Sequence, residues 1–338
     1  MKVKPLALAL VFIVALTFGI HLLRSNATSS ADYPRRVITT SEVEVIVEIP
    51  AGATGSDVGR ILFNKGVVKS AAAYFGAAVS DKKSEQVSPG NHRLSRQISA
   101  TQALEQLLDP NRIPNLIKVF EGAWESEVMT SMIKYGFAPK EVSAAFKKVV
   151  LPKGFDSSEG LLFPAQYSFS KGTTALQVVQ AMIDRFRGEL TGQEILNAKG
   201  EFTPLQLLTV ASIVQAESDS VDFDKVSRVI FNRLKISMPL QMDSTVHFLK
   251  KVRGQIFLST DSTLIKSPYN TYQHYGLPPT PIGNPGIKAM QAALNPASGD
   301  WLYFITVSPG DTRFTASNSE FNTWKVLYEK NRLAGAFK

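Results

Sequence analysis

TPLQLLTVASIVQAES, residues 203–218, decides how the C-terminal half of the chain is read. Thr203 places a side-chain acceptor where a helix would begin, and Pro204 follows at the first helical position, where its missing N–H is harmless. Val210, Ile213 and Val214 precede Glu217 by seven, four and three residues. All four therefore share one face of a helix, while Gln215 points well away from it. The apolar face runs into a carboxylate. A carboxyl held among apolar groups loses the hydration of its anion, so its pKa rises and it keeps its proton, as a general acid near neutral pH must. The competing reading is a glutamate at a helix end, paired with a base such as Arg228 or Arg233.

Outward from this helix, DKVSRVIFNRL (224–234) reads as a second helix with Val226, Val229, Ile230 and Leu234 inward. PLQMDSTVHFL (239–249) is polar and then β-branched. SPYNTYQHYGLPPTPIGNPG (267–286) is dense in Tyr, Asn, Pro and Gly. Tyr269, Tyr272 and Tyr275 offer flat apolar faces with hydrogen-bonding edges, and Asn270 offers an amide, which together suit a sugar polymer. A turn-rich loop whose tyrosines pack on the protein body has the same composition. DWLYFITV (300–307) predicts a buried strand, and RFTASNSEFNTW (313–324) leads into a terminal helix.

Upstream, VEVIVEIP (43–50) alternates as a strand, and SDVGRILFNKGVV (56–68) carries Val58, Ile61 and Leu62 at helical spacing before Gly66. A further helix is expected over SAAAYFGAAV (70–79). The pattern returns seventy residues later: Gly52, Ala53, Ser56, Asp57, Val58 and Gly66 match Gly122, Ala123, Ser126, Glu127, Val128 and Gly136. Each copy reads as strand, glycine turn and capped helix, so a small β-α unit looks duplicated. Between the copies, residues 88–110 predict a turn, a strand and a helix through Ala103, Leu104, Leu107 and Leu108. After them, residues 154–174 read as loop and strand, and 174–190 as an amphipathic helix.

The composition is that of a globular chain long enough for two domains: 338 residues, 44% apolar and 20% charged. The absence of cysteine excludes disulfides, thiol nucleophiles and cysteine metal sites. His21, His92, His247 and His274 have no ligand spacing, so a metal enzyme is not expected. A net charge of +8 is compatible with an anionic partner, but Lys and Arg are spread without a nucleic-acid motif. PLALALVFIVALTFGIHLL (5–23) would span roughly 28 Å as a helix, enough for a bilayer core, and so predicts an uncleaved anchor. Small-x-small sites at Ser25-Asn26-Ala27 and Ser29-Ser30-Ala31 keep a cleaved signal peptide as the alternative. Lys2 and Lys4 on one side, with Arg24, Arg35 and Arg36 on the other, leave its orientation open.

EGLLFPAQYSF (159–169), ASIVQAES (211–218), VIFNRLKISMPLQMDSTV (229–246), YNTYQHYGLPPTPIGNPG (269–286), AALNPA (292–297) and WLYFITV (301–307), in this order, resemble the endolytic murein transglycosylase family of membrane-anchored lytic enzymes that cut peptidoglycan strands. Residues 43–150 resemble that family's LysM-like region. The resemblance implies an α+β chain: cytoplasmic tip and transmembrane helix (1–24), linker (25–40), LysM-like β-α units with an internal repeat (41–150) and a mixed α/β catalytic domain (151–338). It implies cleavage between N-acetylmuramic acid and N-acetylglucosamine without water, giving 1,6-anhydro ends and terminating nascent strands. Glu217 is then the catalytic acid, and Asn270, Tyr269, Tyr272, Gln241, Asp243 and Thr245 are the substrate-binding candidates, with no cofactor or metal. Implied partners are peptidoglycan and its synthases, and the implied location is the inner (cytoplasmic) membrane, single-pass, with the catalytic domain outside. The chain departs from the family pattern at Gln215, where a glutamate is usual, and at Ser244 within the usual Asp-Pro-Thr. Arg313 replaces a histidine, and Glu320-Phe321 replaces a Glu-His pair. Gln215 and Arg313 motivate the alternative, a non-catalytic wall-binding protein of the same fold. An ordinary hydrolase would need a second carboxylate at the bond.

Overall fold

The computed structural model describes residues 30–38, 44–50, 52–114, 116–169, 172–253 and 259–337. The apolar run at 5–23 lies outside the described residues, and no helix among those described is long and apolar enough to cross a membrane. The architecture of the described residues is mixed α+β, with three two-stranded antiparallel sheets among many helices. Two units divide the chain: one takes the residues up to Leu116 with Ser168–Gly172, the other Ile117–Tyr167 with Thr173–Lys338.

In the first unit the Val/Ile alternation becomes β1 (Glu44–Ile49), which turns Val47 and Ile49 inward. Helix α1 (Gly55–Asn64) opens on a reciprocal cap: Asp57 N–H donates to Thr54 Oγ1 at 3.3 Å, and Thr54 N–H donates to Asp57 Oδ2 at 3.0 Å. Helix α2 (Ala71–Ser80) crosses it closely, and β2 (Gly90–Ser95) returns antiparallel to β1, with Val47 opposite His92. Helix α3 (Ala100–Leu108) adds Ala103, Leu104 and Leu107 to a core shared with Leu62, Tyr74, Leu94 and Ile98. Each leucine or isoleucine among them contributes about 1.5–3 kcal/mol through burial.

The second unit begins with the same sequence of elements: β3 (Ile117–Val119), α4 (Glu125–Tyr135), α5 (Pro139–Lys148) and β4 (Ala165–Tyr167). Gly52 and Gly122 occupy the same left-handed turn, at φ +77° and +76°. The acidic residue three places into each helix reaches back to the cap, and Trp124 N–H donates to Glu127 Oε2 at 2.8 Å. The division between the two compact units falls at 116–117. The reason is pairing: Ile117 lies opposite Tyr167, so the second copy closes its sheet with a strand from beyond residue 150.

Helices α6 (Ala175–Gly188), α7 (Leu190–Leu196), α8 (Pro204–Glu217), α9 (Phe223–Lys235), α10 (Asp243–Lys250), α11 (Thr260–Thr263) and α12 (Ile287–Leu294) follow. The hairpin of β5 (Tyr303–Ser308) and β6 (Asp311–Thr315) leads to α13 (Asn318–Leu333). The expected single apolar face of α8 proves too narrow a reading. Every residue from Leu207 to Val214 is buried, because α7, α9, α10 and α12 surround the helix. Conversely, β5 is less buried than expected. Only Val307 in it is fully enclosed, since a two-stranded hairpin backed by α13 leaves its other side open. Helices α5, α7, α10, α11 and α12 were not read from the sequence.

Gly160 couples the loop before β4 to the centre of the unit. Its φ is +90°, and a Cβ there would stand 2.7 Å from Pro281 and 3.2 Å from Leu208 of α8. Gly160→Ala is expected to destabilise the protein by about 2 kcal/mol or more, through backbone strain and overpacking together. A urea midpoint unchanged from wild type would contradict this account of the packing.

Candidate active site

Helix α8 begins as its sequence dictates, with Gln206 N–H on Thr203 Oγ1 at 3.3 Å and Thr203 N–H on Gln206 Oε1 at 2.8 Å. Ser212 fastens it to the loop ahead of α12, accepting from Ile282 N–H at 2.9 Å. Glu217 is its last residue. The residue retains some surface, but its carboxyl is enclosed enough that loss of hydration is the largest influence on it and raises its pKa. The neighbouring Asp243 carboxylate pushes the same way, while Ser244 and the more distant Arg233 pull against it. Oε1 of Glu217 accepts a hydrogen bond from Ser244 N–H at 3.0 Å.

That donor belongs to the first turn of α10. Its N-cap is Met242, which provides no side-chain acceptor, so an N–H left free by helix geometry is satisfied by Glu217 instead. Asp243, the first residue of α10, accepts from the hydroxyl of Tyr272. Burial, reinforced by that hydrogen bond to Asp243, raises the Tyr272 pKa and keeps the phenol protonated. The described residues brought together are thus Glu217, Asp243, Ser244 and Tyr272, with Arg233 behind them.

Neither arginine proposed as an ion-pair partner serves that purpose. Arg228 donates from Nε to the Ala297 carbonyl at 2.5 Å. Arg233, buried beneath Tyr303, donates to the Leu302 carbonyl at 2.6 Å and the Leu240 carbonyl at 2.5 Å. Its charge reaches Glu217 only through space, and its donors tie the residue ahead of β5 to the turn before α10.

Other expected sugar ligands serve the framework. Asn270 is fully buried. Its Nδ2 donates to the Thr263 and Ile265 carbonyls at 3.0 and 2.8 Å, and its Oδ1 accepts from Tyr272 N–H at 3.0 Å. The amide therefore shapes the loop that presents Tyr272 and has no group left for a ligand. Thr245 is likewise buried, donating to the Met242 carbonyl at 2.7 Å and meeting Thr271 Oγ1 at 3.0 Å. Tyr269 packs on Phe248, with its hydroxyl 2.8 Å from Thr280 Oγ1. Gln241 is exposed, in a left-handed backbone conformation at φ +50°. Sequence reading missed Ser244 as a partner of Glu217. It also missed Thr271, whose hydroxyl accepts from Met242 N–H at 2.9 Å. Only the density of small polar residues in 241–245 and 267–272 signals such a network.

The departures from the family pattern have definite places. Gln215 Oε1 accepts from Gly286 N–H at 2.9 Å, an acceptor role that an amide and a carboxylate perform alike. Arg313 pairs with Asp311 at 2.8 Å, Glu320 accepts from Thr315 Oγ1 at 2.6 Å, and Phe321 stacks on Tyr303 with ring centroids 5.1 Å apart. A second enclosed carboxyl, Glu159, accepts from Glu125 N–H at 3.0 Å, and burial pushes its pKa up to about 8. It closes the start of α4. No group of His, Asp and Glu among the described residues could hold a metal ion.

Residues 47–325 match the model of the YceG-like family. The endolytic murein transglycosylase of Bacillus subtilis strain 168 is 31% identical over 310 residues, covering 85% of this chain and 86% of that protein. Its namesake in Streptococcus pneumoniae strain D39 is 27% identical over 327 residues, covering 86% of this chain but 59% of that longer protein. The crystal structure of a YceG-like protein from Listeria monocytogenes superposes with a TM-score of 0.51 at 28% identity, covering 84% of this chain and 99% of the other.

A carboxyl with a raised pKa makes the fold weaker as pH increases. Folded Glu217 retains a proton that the unfolded chain has already released, so stability falls from about pH 4.5 upward until the folded group also ionises. Glu217→Gln removes that penalty and keeps an acceptor for Ser244. The variant is expected to melt above wild type at pH 8, with the gap closing toward pH 4. Parallel melting curves at both pH values would refute the enclosed acid.

Proposed function

Because the chain belongs to the YceG-like family, we propose that it is a lytic transglycosylase acting within peptidoglycan strands, with Glu217 as its single acid and base. The observation that carries this reading is the position of Glu217: an enclosed carboxyl anchored through Oε1 to the start of α10, beside Asp243 and the Tyr272 phenol. Protonated Glu217 gives its proton to the oxygen between N-acetylmuramic acid and N-acetylglucosamine as the bond from C1 breaks. The positive charge growing at C1 and the ring oxygen is stabilised by the nearby Asp243 carboxylate. The C6 hydroxyl of the muramyl ring then attacks C1 and returns its proton to Glu217. No water is consumed, and the product carries a 1,6-anhydro end. One carboxyl suffices because the nucleophile belongs to the substrate, unlike glycosidases that flank the bond with two. Asp243, Tyr272 and exposed Gln241 are the groups placed to meet the sugar.

The wider role follows the same reading. The run at 5–23 would anchor the chain in the inner membrane with the enzyme outside, where it would end new strands beside the synthases that make them. The strand–helix–helix–strand units are read as LysM-like wall-binding elements. In the first of them a cavity of about 290 Å³ lies between Pro50, Gly52 and Ala53 on one side and Ser84, Val87 and Pro89 on the other.

Digestion of purified glycan strands with mass spectrometry of the products tests the proposal: anhydro-muramyl ends are expected. Reducing ends would indicate a hydrolase, and intact strands a wall-binding protein. Glu217→Gln is expected to lower the rate by at least about 10³-fold, because both proton transfers are lost. A variant within tenfold of wild type would remove Glu217 from its role.

A further inference from the structure

Oε1 and Oε2 of Glu217 stand in unlike surroundings. Oε1 accepts the Ser244 N–H at 3.0 Å, the hydrogen bond that fixes which oxygen is held. Ser244 itself is buried, and its hydroxyl, sealed from solvent, also bears on the Glu217 carboxyl and favours the anion. We propose that Ser244 is a positioning residue whose backbone N–H pins Oε1, so that Oε2 alone carries the proton to the glycosidic oxygen and recovers it from the C6 hydroxyl. This rests on the catalytic role of Glu217 proposed above.

A neutral carboxyl places its proton on the oxygen that is not already accepting, because an N–H donor on Oε1 would confront the acid proton if both shared that oxygen. After transfer the donor remains, now facing an anion, and a hydrogen bond to a charged group is stronger than one to a neutral group. The start of α10 adds its dipole in the same sense. The anion is therefore tolerated just long enough for the returning proton. The other charged groups facing Glu217 are Asp243 on α10, Arg233 on α9 and, through its polar hydroxyl, Tyr272 of the 267–286 loop. On the remaining packed helices, Lys288 of α12 is directed to Ser220 Oγ, and Glu194 of α7 is exposed.

Two variants separate the N–H from the hydroxyl. S244A keeps the N–H and loses only the hydroxyl, whereas S244P loses both and restores the proline usual in the Asp-Pro-Thr pattern. Rates of anhydro-end formation are measured on the full chain from pH 5 to 9. For S244P, kcat is expected to fall roughly five- to fiftyfold with KM within about twofold, and the high-pH limb to move upward by about half a unit or more, since the anion has lost its donor. S244A, which keeps the N–H but loses the hydroxyl beside the carboxyl, should lower kcat less than S244P and move the limb by a smaller amount. Coincident pH profiles for the two variants overturn the proposal. Should S244P not fold, the Ser244 amide nitrogen resonance of the wild-type protein is followed with pH. It must titrate at the midpoint of the high-pH limb and become flat in E217Q, and a flat wild-type response overturns the pairing. A wild-type protein that makes no anhydro ends would refute the catalytic reading instead, whatever the amide resonance shows.

Discussion

Helix α10 lacks a side-chain cap of its own, and the carboxyl of Glu217 fills the vacancy. This single hydrogen bond joins the proposed acid to the fold. Enclosure and Asp243 favour the neutral acid; the Ser244 hydroxyl and N–H, the helix start and Arg233 favour the anion. A group required to give up a proton and take it back works best when neither form is strongly preferred. Opposed influences of this kind meet at a helix end more readily than within a helix, because only there are backbone N–H groups free to face a side chain.

The surroundings hold that balance through buried polar contacts rather than through apolar packing alone. Thr271 joins the turn before α10 to the tyrosine loop, Asn270 shapes that loop, and Arg233 ties the turn to the residue ahead of β5. Each is a side chain that would be costly if left unpaired, so each contact is satisfied only in the assembled arrangement. The same requirement accounts for why Asn270 is withdrawn from solvent although its composition suits a sugar ligand. Outside this network the departures from the family pattern are modest in effect on geometry. Gln215 still holds Gly286, and Phe321 finds an aromatic partner in Tyr303.

The duplicated strand–helix–helix–strand unit has two different fates. The first copy completes a core around Leu62, Tyr74 and Leu94 with the help of α3. The second closes through β4 and is absorbed into the larger unit, where a Cβ at Gly122 would meet Gln215 at van der Waals distance and an Ala123–Asn284 bridge joins it to the loop before α12. Two similar sequences thus reach the same local path while their partners differ. Local signals such as the Gly52 and Gly122 turns and the acidic cap residues depend on a few neighbours; the choice of partner depends on which apolar surface is left uncovered.

Much of the secondary structure was legible for that reason. The cap at Thr203, the alternation in 44–49 and the helical spacing at 56–63 act over a few residues and need no distant partner. Helix α10 was not legible, because Thr245, Val246 and Phe248 favour a strand locally and only packing against α8 and the Thr271 network makes them helical. The sequence by itself determined that a glutamate would close a long apolar helix and that its carboxyl would be short of water. Only the tertiary structure decided that its partner is the Ser244 N–H instead of an arginine, and that Asn270 and Thr245 build the site without facing it. Periodicity reports which side of a helix is covered, whereas hydrogen-bond partners are set by backbone groups that look alike in every sequence.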